Sequence, residues 1–469
     1  MSDFTPFSQK FQEAALGESV ERAFRASYEA LAANETGLIP ESAITPARGL
    51  PAYEDLVEVD SDAIPGLLAQ TVIIKLNGGL GTGMGLEKAK SLLPVRGERT
   101  FLDLIAEQIL YLRETAGQGG GQPRFLLMNS FSTSAETRAA LAKYPALGAP
   151  EDLEFLQNRV PKVDAKTLAP VEWPADPEME WCPPGHGDIY PALVGSGRLA
   201  ELLAAGVRYA LVSNSDNLGA TLDFKLLQYF AESGAPFMME VCQRTAADRK
   251  GGHLAINNAN GRLLLRESAQ CPPADEAEFQ DVTKHQYFNT NNLWLNLPAL
   301  AAALEEHGGL IPLPMIRNTK TVDPRDKKST KVFQLETAMG AAIGSFEGSL
   351  AVLTPRRRFA PVKTCADLLA VRSDAYELTE DARLILREER GGEPPVIGLD
   401  GSHYKLVDQL ETAFPDGAPG LLECAHLSIK GPVIVPGGVT FAGRVEILNA
   451  TAAARSLPAR AYRDEEVDL

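Results

Sequence analysis

The chain has 469 residues, a length that predicts two or three domains instead of one compact core. Its formal net charge is −17, from 62 acidic and 45 basic residues, which excludes broad binding to nucleic acid or an anionic membrane, since both need a positive surface. With 45% apolar and 23% charged residues, the composition excludes a largely disordered or fibrous chain. A local basic pocket for a small phosphorylated ligand stays compatible with this charge.

The cysteines indicate a reducing compartment. They are five in number, scattered, and contain no Cys-x-x-Cys pair. Residues 1–11 are polar where a signal peptide needs an apolar stretch, and no later apolar run is long enough to span a bilayer. We therefore expect a cytoplasmic protein that binds neither membrane nor nucleic acid.

The N-terminal 68 residues are predicted to begin as helix. Apolar residues recur there at helical spacing, at Phe11, Ala15, Val20, Phe24, Tyr28 and Leu31. Prolines at positions 40, 46 and 51 then predict an extended connector to the main domain.

From Thr71 onward, alternating strands and helices predict a layered α/β domain with a largely parallel sheet. Short apolar runs predict buried strands at residues 71–76, 125–128, 209–213 and 237–241. The clearest helix is predicted over residues 101–115, with Thr100 and Asp103 as a capping box. Asn260-Gly261 predicts a hairpin within residues 253–267, whereas residues 310–331, rich in proline and lysine, are predicted to form a long mobile loop.

The C-terminal region contains an internal repeat. Two sets of apolar residues recur every six positions, at Leu427, Val433, Val439 and Val445 and at Ile429, Val435, Phe441 and Ile447. This period favours a parallel β-helix, although an antiparallel strand pair also alternates. The last dozen residues are expected to be frayed.

A glycine-rich segment, residues 76–85, follows the first predicted strand. Its glycines allow the backbone to approach a phosphate closely with its amides turned inward, which favours phosphate binding over a flexible connector. The segment contains neither the Gly-Lys-Ser/Thr of a Walker loop nor the Gly-x-Gly-x-x-Gly of a dinucleotide-binding fold. ATP hydrolysis and hydride transfer of the usual kinds are therefore less favoured. Lys88 and Lys90 follow as candidates to neutralise phosphates, with a solvated lysine pair as the alternative.

Further candidates follow other predicted strands. Asp216 ends the polar segment after residues 211–213 and is suited to Mg²⁺, although such residues also form turns. His186 and Asp188 lie in a loop fixed by prolines and glycines, and the lack of a second ligand at metal-binding spacing favours a hydrogen-bonding role over zinc. Weaker candidates are Gln157, residues 251–252, the asparagine-rich run 288–294 and Lys363.

Taken in order, these segments resemble the eukaryotic-type UTP–glucose-1-phosphate uridylyltransferases, also called UDP-glucose pyrophosphorylases. The similar blocks are residues 76–82, 127–131, 183–190, 212–221, 239–241, 250–252, 288–294, 334–338 and 361–364. The resemblance implies an α/β fold: a Rossmann-like nucleotidyltransferase core with a mainly parallel mixed sheet (residues 69–375), an N-terminal helical segment (1–68) and a C-terminal left-handed parallel β-helix (376–469).

The resemblance also implies the reaction, in which UTP and glucose 1-phosphate give UDP-glucose and pyrophosphate with Mg²⁺ as cofactor. It assigns catalysis to Lys90, Lys363 and Asp216, with Asp216 as the metal ligand. The nucleotide is assigned to Leu76, Asn77, Gly78, Gly79, Gln157 and Gly185. The sugar phosphate and nucleotide product are assigned to His186, Asn214, Ser215, Gly252 and Asn291.

The sequence departs from the family pattern in three places. It has Lys88-Ala-Lys90-Ser91 where the family usually has Gly-Pro-Lys-Ser, so we assign the role to Lys90 because Ser91 fixes the register. Gly83 replaces the usual serine, and the lysine-rich segment 318–331 is longer than expected and is a candidate to close over pyrophosphate.

Two alternatives stay open on the sequence. One is an enzyme that prefers galactose 1-phosphate or N-acetylglucosamine 1-phosphate, since few contacts decide the sugar. The other is a non-catalytic nucleotide-sugar sensor or scaffold, against which the three charged residues together argue. A homo-oligomer is possible, and the sequence does not decide it.

Overall fold

The computed structural model describes residues 3–115, 121–245 and 248–469 and shows a mixed α/β fold. Met1 and Ser2 of the predicted helical segment lie outside these ranges. The helices are α1 (Thr5–Glu13), α2 (Glu18–Ala32), α3 (Ile64–Ala69), α4 (Phe101–Thr115), α5 (Ser134–Leu141), α6 (Ile189–Gly195), α7 (Arg198–Ala204), α8 (Phe224–Ser233), α9 (Glu276–Gln280), α10 (Leu297–Glu306), α11 (Cys365–Arg372) and α12 (Val407–Ala413).

The strands are β1 (Ile44–Pro46), β2 (Thr71–Asn77), β3 (Pro94–Arg96), β4 (Arg99–Thr100), β5 (Arg124–Asn129), β6 (Glu154–Leu156), β7 (Val160–Pro161), β8 (Val163–Asp164), β9 (Trp181–Cys182), β10 (Tyr209–Asn214), β11 (Phe237–Gln243), β12 (His253–Asn257), β13 (Leu263–Arg266), β14 (Tyr287–Asn296), β15 (Ile316–Thr321), β16 (Lys331–Glu336), β17 (Leu350–Leu353), β18 (Tyr376–Leu378), β19 (Leu384–Leu386), β20 (Val396–Leu399), β21 (Cys424–Lys430), β22 (Val433–Ile434), β23 (Thr440–Leu448), β24 (Arg455–Ser456) and β25 (Ala461–Asp468). Within the described ranges, no helix is long and apolar enough to cross a membrane.

A ten-stranded mixed sheet forms the centre of the molecule, in the order β1-β12-β14-β10-β2-β5-β6, with β11, β13 and β17 attached to it. Neighbours β10, β2, β5 and β6 are parallel, so their carboxyl ends meet at one edge. The insertion of antiparallel β14 between β10 and β11 makes the sheet mixed. The predicted buried strands are confirmed, because their apolar runs lie in this covered sheet.

Helix α4 has the predicted bounds. Its start is fixed by a reciprocal capping box, in which the Thr100 amide donates to Asp103 Oδ2 (2.9 Å) and the Asp103 amide donates to Thr100 Oγ1 (3.1 Å). The predicted N-terminal helices are also confirmed. Phe7, Phe11 and Phe24 of α1 and α2 are buried together with Val160 and Cys182, so these helices support the segments around β7 and β9.

Two predicted irregular segments are wrong. Residues 310–331 contain β15, which pairs antiparallel with β16 in a hairpin. Ile316, Asn318 and Thr321 of β15 are half-buried, and because two of them are polar the sequence shows no apolar alternation there. The last dozen residues contain β25, which pairs in parallel with β23 and buries Tyr462.

The C-terminal strands β20, β21, β23 and β25 are all parallel neighbours. Leu427 pairs with Val445 and Ile429 with Ile447, so one circuit of the chain contains three of the six-residue repeats. All eight repeated apolar residues are buried. Parallel pairing excludes the antiparallel alternative, and the left-handed parallel β-helix stays a prediction.

Candidate functional site

The site lies at the edge where β2, β10 and β5 end. Each of these strands ends in an asparagine, and in register Leu76 pairs with Asn214 and Asn77 pairs with Asn129. The glycine-rich loop and the segment containing Asp216 therefore leave the sheet side by side. Ligands of open α/β sheets bind at such an edge.

The glycine-rich loop is tied to its surroundings at both ends. Asn77 Nδ2 donates to Asn129 Oδ1 (2.7 Å) and to Thr137 Oγ1 (3.0 Å), and the Lys90 amide donates to the Gly79 carbonyl (3.0 Å). A side chain at Gly78 would collide with Gln157 Oε1, whereas one at Gly79 would meet no atom within 4 Å. A side chain at Gly78 therefore needs Gln157 to move, and Gly79 exposes its backbone to an approaching ligand.

Lys90 and Asp216 form an ion pair with 2.6 Å between Nζ and Oδ2, and both side chains are 16% exposed. Lys90 Nζ also donates to the Val362 carbonyl, next to Lys363. Lys90 therefore links the glycine-rich loop, the Asp216 segment and the Lys363 segment, whereas Lys88 is exposed. Asp216 Oδ1 is buried and has no hydrogen-bond partner among the described residues.

His186 is fixed in one tautomer by the backbone. The Met339 amide donates to Nδ1 (2.9 Å), and burial together with the charge of Lys363 lowers the pKa of His186 to about 4. The ring is therefore neutral near pH 7 and carries its proton on Nε2. In the described residues no three His, Cys, Asp or Glu side chains form a metal-binding group.

Gln157 and the loop around Gly185 are packed together. Gln157 Nε2 donates to the Gly185 carbonyl (3.0 Å), and a Cβ at Gly185 would lie 2.5 Å from the Thr337 carbonyl oxygen. The neighbouring Asn158 donates from its amide to Asp188 Oδ2 (2.6 Å). Burial raises the pKa of Asp188 to about 7, although the Asn158 hydrogen bonds oppose this shift. Asp188 thus holds the loop in place and faces the interior.

The asparagine-rich run, residues 288–294, lies in strand β14 and contains a bulge, whereas such runs usually form turns. The pairing of β11 with β14 passes from Glu240–Asn292 to Val241–Asn289, which leaves two residues between them unpaired. One of them, Asn291, has φ of 59° and exchanges hydrogen bonds of 2.9 Å with Asn289. A bulge of this kind turns a side chain out of the sheet.

Glu267 is a candidate that the sequence did not reveal. Its carboxylate lies against Gly252, where an added Cβ would be 2.6 Å from Oε2, and Asn289 Nδ2 approaches Oε1 at 3.5 Å. Burial raises its pKa, while Asn289 and Lys363 oppose that shift. Glu267 has no motif around it in sequence, because only the hairpin of β12 and β13 brings it to Gly252.

Lys363 is exposed and lies at the start of α11, where its amide donates to Asp367 Oδ2 (2.8 Å). A cavity of about 410 Å³ is lined by Lys250, Gly251, Phe288 and Lys363, among others. Gly251 and Lys363 therefore lie on the same cavity, whereas Gly252, Lys90 and Asp216 are outside its lining.

A buried network supports these loops from below. Asn217 Nδ2 donates to the Arg358 carbonyl (3.1 Å), and the Ala360 amide donates to Asn217 Oδ1 (3.0 Å). The Arg358 guanidinium donates to both carboxylate oxygens of Glu240, at 2.7 and 2.8 Å. These contacts hold the segment before Lys363 against the segment containing Asp216. Sequence reasoning missed Asn217 and Arg358 as functional residues.

Glycines that expose backbone amides, a carboxylate paired with lysine, and a further lysine beside a cavity define a nucleotide-binding α/β enzyme that acts on phosphates. Residues 21–441 match the family model of the UTP–glucose-1-phosphate uridylyltransferases. The chain belongs to this family.

Relatives in sequence and structure agree. The chain is 43% identical to UTP–glucose-1-phosphate uridylyltransferase of Saccharomyces cerevisiae over 382 residues, which cover 81% of this chain and 74% of the relative. A solved structure of a mutant UDP-glucose pyrophosphorylase from Leishmania major in complex with UDP-glucose is 47% identical, with a TM-score of 0.94 and all of both chains covered. A Trypanosoma brucei UDP-glucose phosphorylase structure is 48% identical, with a TM-score of 0.92 and 99% of each chain covered.

Proposed function

We propose that this chain transfers the uridylyl group of UTP to glucose 1-phosphate, giving UDP-glucose and pyrophosphate. The observation that carries the proposal is the convergence of Lys90, Asp216 and the Lys363 segment beside the glycine-rich loop. Family membership and the related structure that holds UDP-glucose support the choice of nucleotide and sugar.

The nucleotide lies along the glycine-rich loop in this proposal. The backbone of Leu76, Asn77, Gly78 and Gly79 contacts the uridine, with Gln157 and Gly185 opposite. The contact between Gly78 and Gln157 brings these two walls together, and the open space at Gly79 admits the ligand. A planar uracil with donor and acceptor edges suits such backbone amides and an amide side chain.

The sugar phosphate lies beyond the nucleotide. His186 Nε2–H donates to a phosphate oxygen, and Asn214, Ser215, Gly252 and Asn291 line the remaining contacts. The Ser215 amide donates to the Leu76 carbonyl (3.1 Å), which keeps this segment beside the glycine-rich loop. Glu267, against Gly252, is placed to accept a hydrogen bond from a sugar hydroxyl.

The residues present fit a magnesium ion. Asp216 Oδ1 is a buried hard oxygen without a partner among the described residues, and Mg²⁺ usually takes one or two carboxylates plus substrate phosphates. Asp216 would hold the ion, which when bound supplies positive charge to the phosphate oxygens. Lys90 and Lys363 stabilise further charge along the phosphates.

The chemistry needs positioning more than proton transfer. An oxygen of the sugar phosphate attacks the α-phosphorus in line and forms the new P–O bond, while the bond to the β-phosphate oxygen breaks and its electron pair leaves with pyrophosphate. No general base is needed, because the attacking phosphate is already ionised at neutral pH. The site accordingly offers fixed donors and cations.

We also propose a domain architecture in which a catalytic domain (residues 69–375) lies between a helical segment (1–68) and a left-handed β-helix (376–469). The enzyme is proposed to be cytoplasmic. The parallel circuits of β21 and β23 support the β-helix.

Pyrophosphate release with UTP, Mg²⁺ and a panel of sugar 1-phosphates tests the function. We expect the highest kcat/KM with glucose 1-phosphate. Faster turnover of galactose 1-phosphate or N-acetylglucosamine 1-phosphate would contradict the sugar assignment, and UDP-glucose binding without turnover of any sugar would indicate a sensor.

A further inference from the structure

Lys75 is a buried cation to which none of the roles above is assigned. It lies on β2 directly before Leu76, and its side chain is 1% exposed. Its Nζ donates to Ser213 Oγ (2.8 Å) and to the Ala220 carbonyl (2.6 Å). Lysine is almost never fully buried without partners, so these two acceptors account for its place in the interior.

The two acceptors lie at the two ends of the segment that contains Asp216. Ser213 precedes Asn214 at the end of β10, and Ala220 follows the turn formed by Asn217. One side chain therefore ties both ends of residues 213–220 to the strand from which the glycine-rich loop leaves. This attachment adds to the pairing of β2 with β10, in which Ser213 lies opposite Lys75, in holding the two phosphate-binding segments together.

The charged groups that face Lys75 are Arg358, Glu240 and Asp216. Burial, and after it the charge of Arg358, lower the pKa of Lys75 to about 7, and the two carboxylates oppose this shift. Phosphates that arrive at this edge add negative charge and favour the protonated amine.

We propose that Lys75 is a positioning residue for uridylyl transfer, which fixes the Asp216 segment against the glycine-rich loop and presents a positive charge beneath the bound phosphates. This inference rests on the proposed function. It predicts that nucleotide-sugar binding is coupled to proton uptake at Lys75.

Kinetics of Lys75→Met test the positioning role, because methionine keeps the apolar length of the side chain and removes the donors. We expect kcat to fall about 10- to 100-fold, as for a small misplacement of reacting groups. The melting temperature should fall modestly, because the Ala220 carbonyl loses its donor. Lys162→Met is the matched control: Lys162 is also buried, at 6% exposed, and donates to the Val322 carbonyl, and its loss should leave kcat within about twofold.

Wild-type kcat in Lys75→Met would overturn the proposal. If this variant does not fold, Ser213→Ala removes one acceptor and keeps the amine, and it should lower kcat in the same direction by a smaller factor. Unchanged kcat in Ser213→Ala would then overturn the proposal. Absence of turnover in the wild-type enzyme would instead overturn the proposed function.

Calorimetry of UDP-glucose binding tests the charge separately from activity. The two phosphates of UDP-glucose are esterified and lack the ionisation near pH 6 of a terminal phosphate. At about pH 7.5, in buffers of different ionisation enthalpy, the wild type should take up protons and Lys75→Met should take up fewer. Equal uptake by both proteins would overturn the coupling.

Discussion

The edge of the central sheet and the C-terminal parallel strands bury different kinds of residue. At the edge, polar side chains such as Asn77, Asn217 and Glu240 are almost fully buried, and each makes hydrogen bonds to a neighbouring segment. In the C-terminal strands, the buried residues are apolar and repeat every six positions. The buried contacts of the first region therefore hold loops in place, whereas those of the second stabilise the packing of the strands.

The largest expected effect is at the lysines of the edge. Lys363→Ala and Lys90→Ala should each lower kcat by about 100-fold or more, because each removes charge that stabilises the transition state. Their melting temperatures should stay close to wild type. Pyrophosphate release and thermal unfolding measure the two quantities, and a near-normal rate in either variant would remove that lysine from the mechanism.

A pair of glycine substitutions sharpens the comparison within one loop. Gly78→Ala collides with Gln157 Oε1 and should raise the KM for UTP about tenfold, in the range of a disturbed binding contact. Gly83→Ala meets no atom within 4 Å and should stay within about twofold of wild type. Equal KM values for the two variants would show that packing against Gln157 does not shape the uridine site.

The C-terminal strands should respond in stability. Ile447 is 1% exposed, and Ile447→Ala should lower the free energy of unfolding by about 2–4 kcal/mol without changing kcat of the folded enzyme. Leu448→Ala, at a side chain 43% exposed, should change it by less than about 0.5 kcal/mol. Urea denaturation measures the free energy of unfolding of both variants. A large loss of kcat in Ile447→Ala would contradict the view that the C-terminal strands contribute stability and not catalysis.

The smallest expected effect is a pH dependence at His186. Its pKa is lowered from 6.5 to about 4 in the folded state, so below pH 6.5 the unfolded chain binds the proton more readily. His186 therefore contributes a loss of stability as the pH falls from 6.5 to about 4, and none above that range. His186→Gln should lose less stability than wild type between pH 7.5 and pH 5.0 in urea denaturation. Equal losses would contradict the neutral state of the ring.

Periodicity in the sequence predicts the parts of the fold in which apolar residues are buried. It predicts helix α4, the buried strands β2 and β10, and the parallel packing of the C-terminal repeat. It does not predict strand β15, because two of the three half-buried residues of this strand, Asn318 and Thr321, are polar. The prolines at positions 312, 314 and 324 on either side of the strand favour a loop instead.

The candidate site is predicted where a residue follows a strand or a glycine run, as Asp216 and Lys90 do. Glu267 and Arg358 are not predicted, because pairings between distant segments bring them to the site. Glu240 and Asn217 lie within recognised blocks, yet their role in supporting the loops follows only from their partners.

The most direct test of the account is the turnover of Asp216→Asn at saturating UTP, glucose 1-phosphate and Mg²⁺. The change keeps the size of the side chain and removes its negative charge. The account predicts a loss of kcat of about 100-fold or more with an unchanged melting temperature. Turnover close to that of the wild type would contradict the assignment of the reaction to this edge of the sheet.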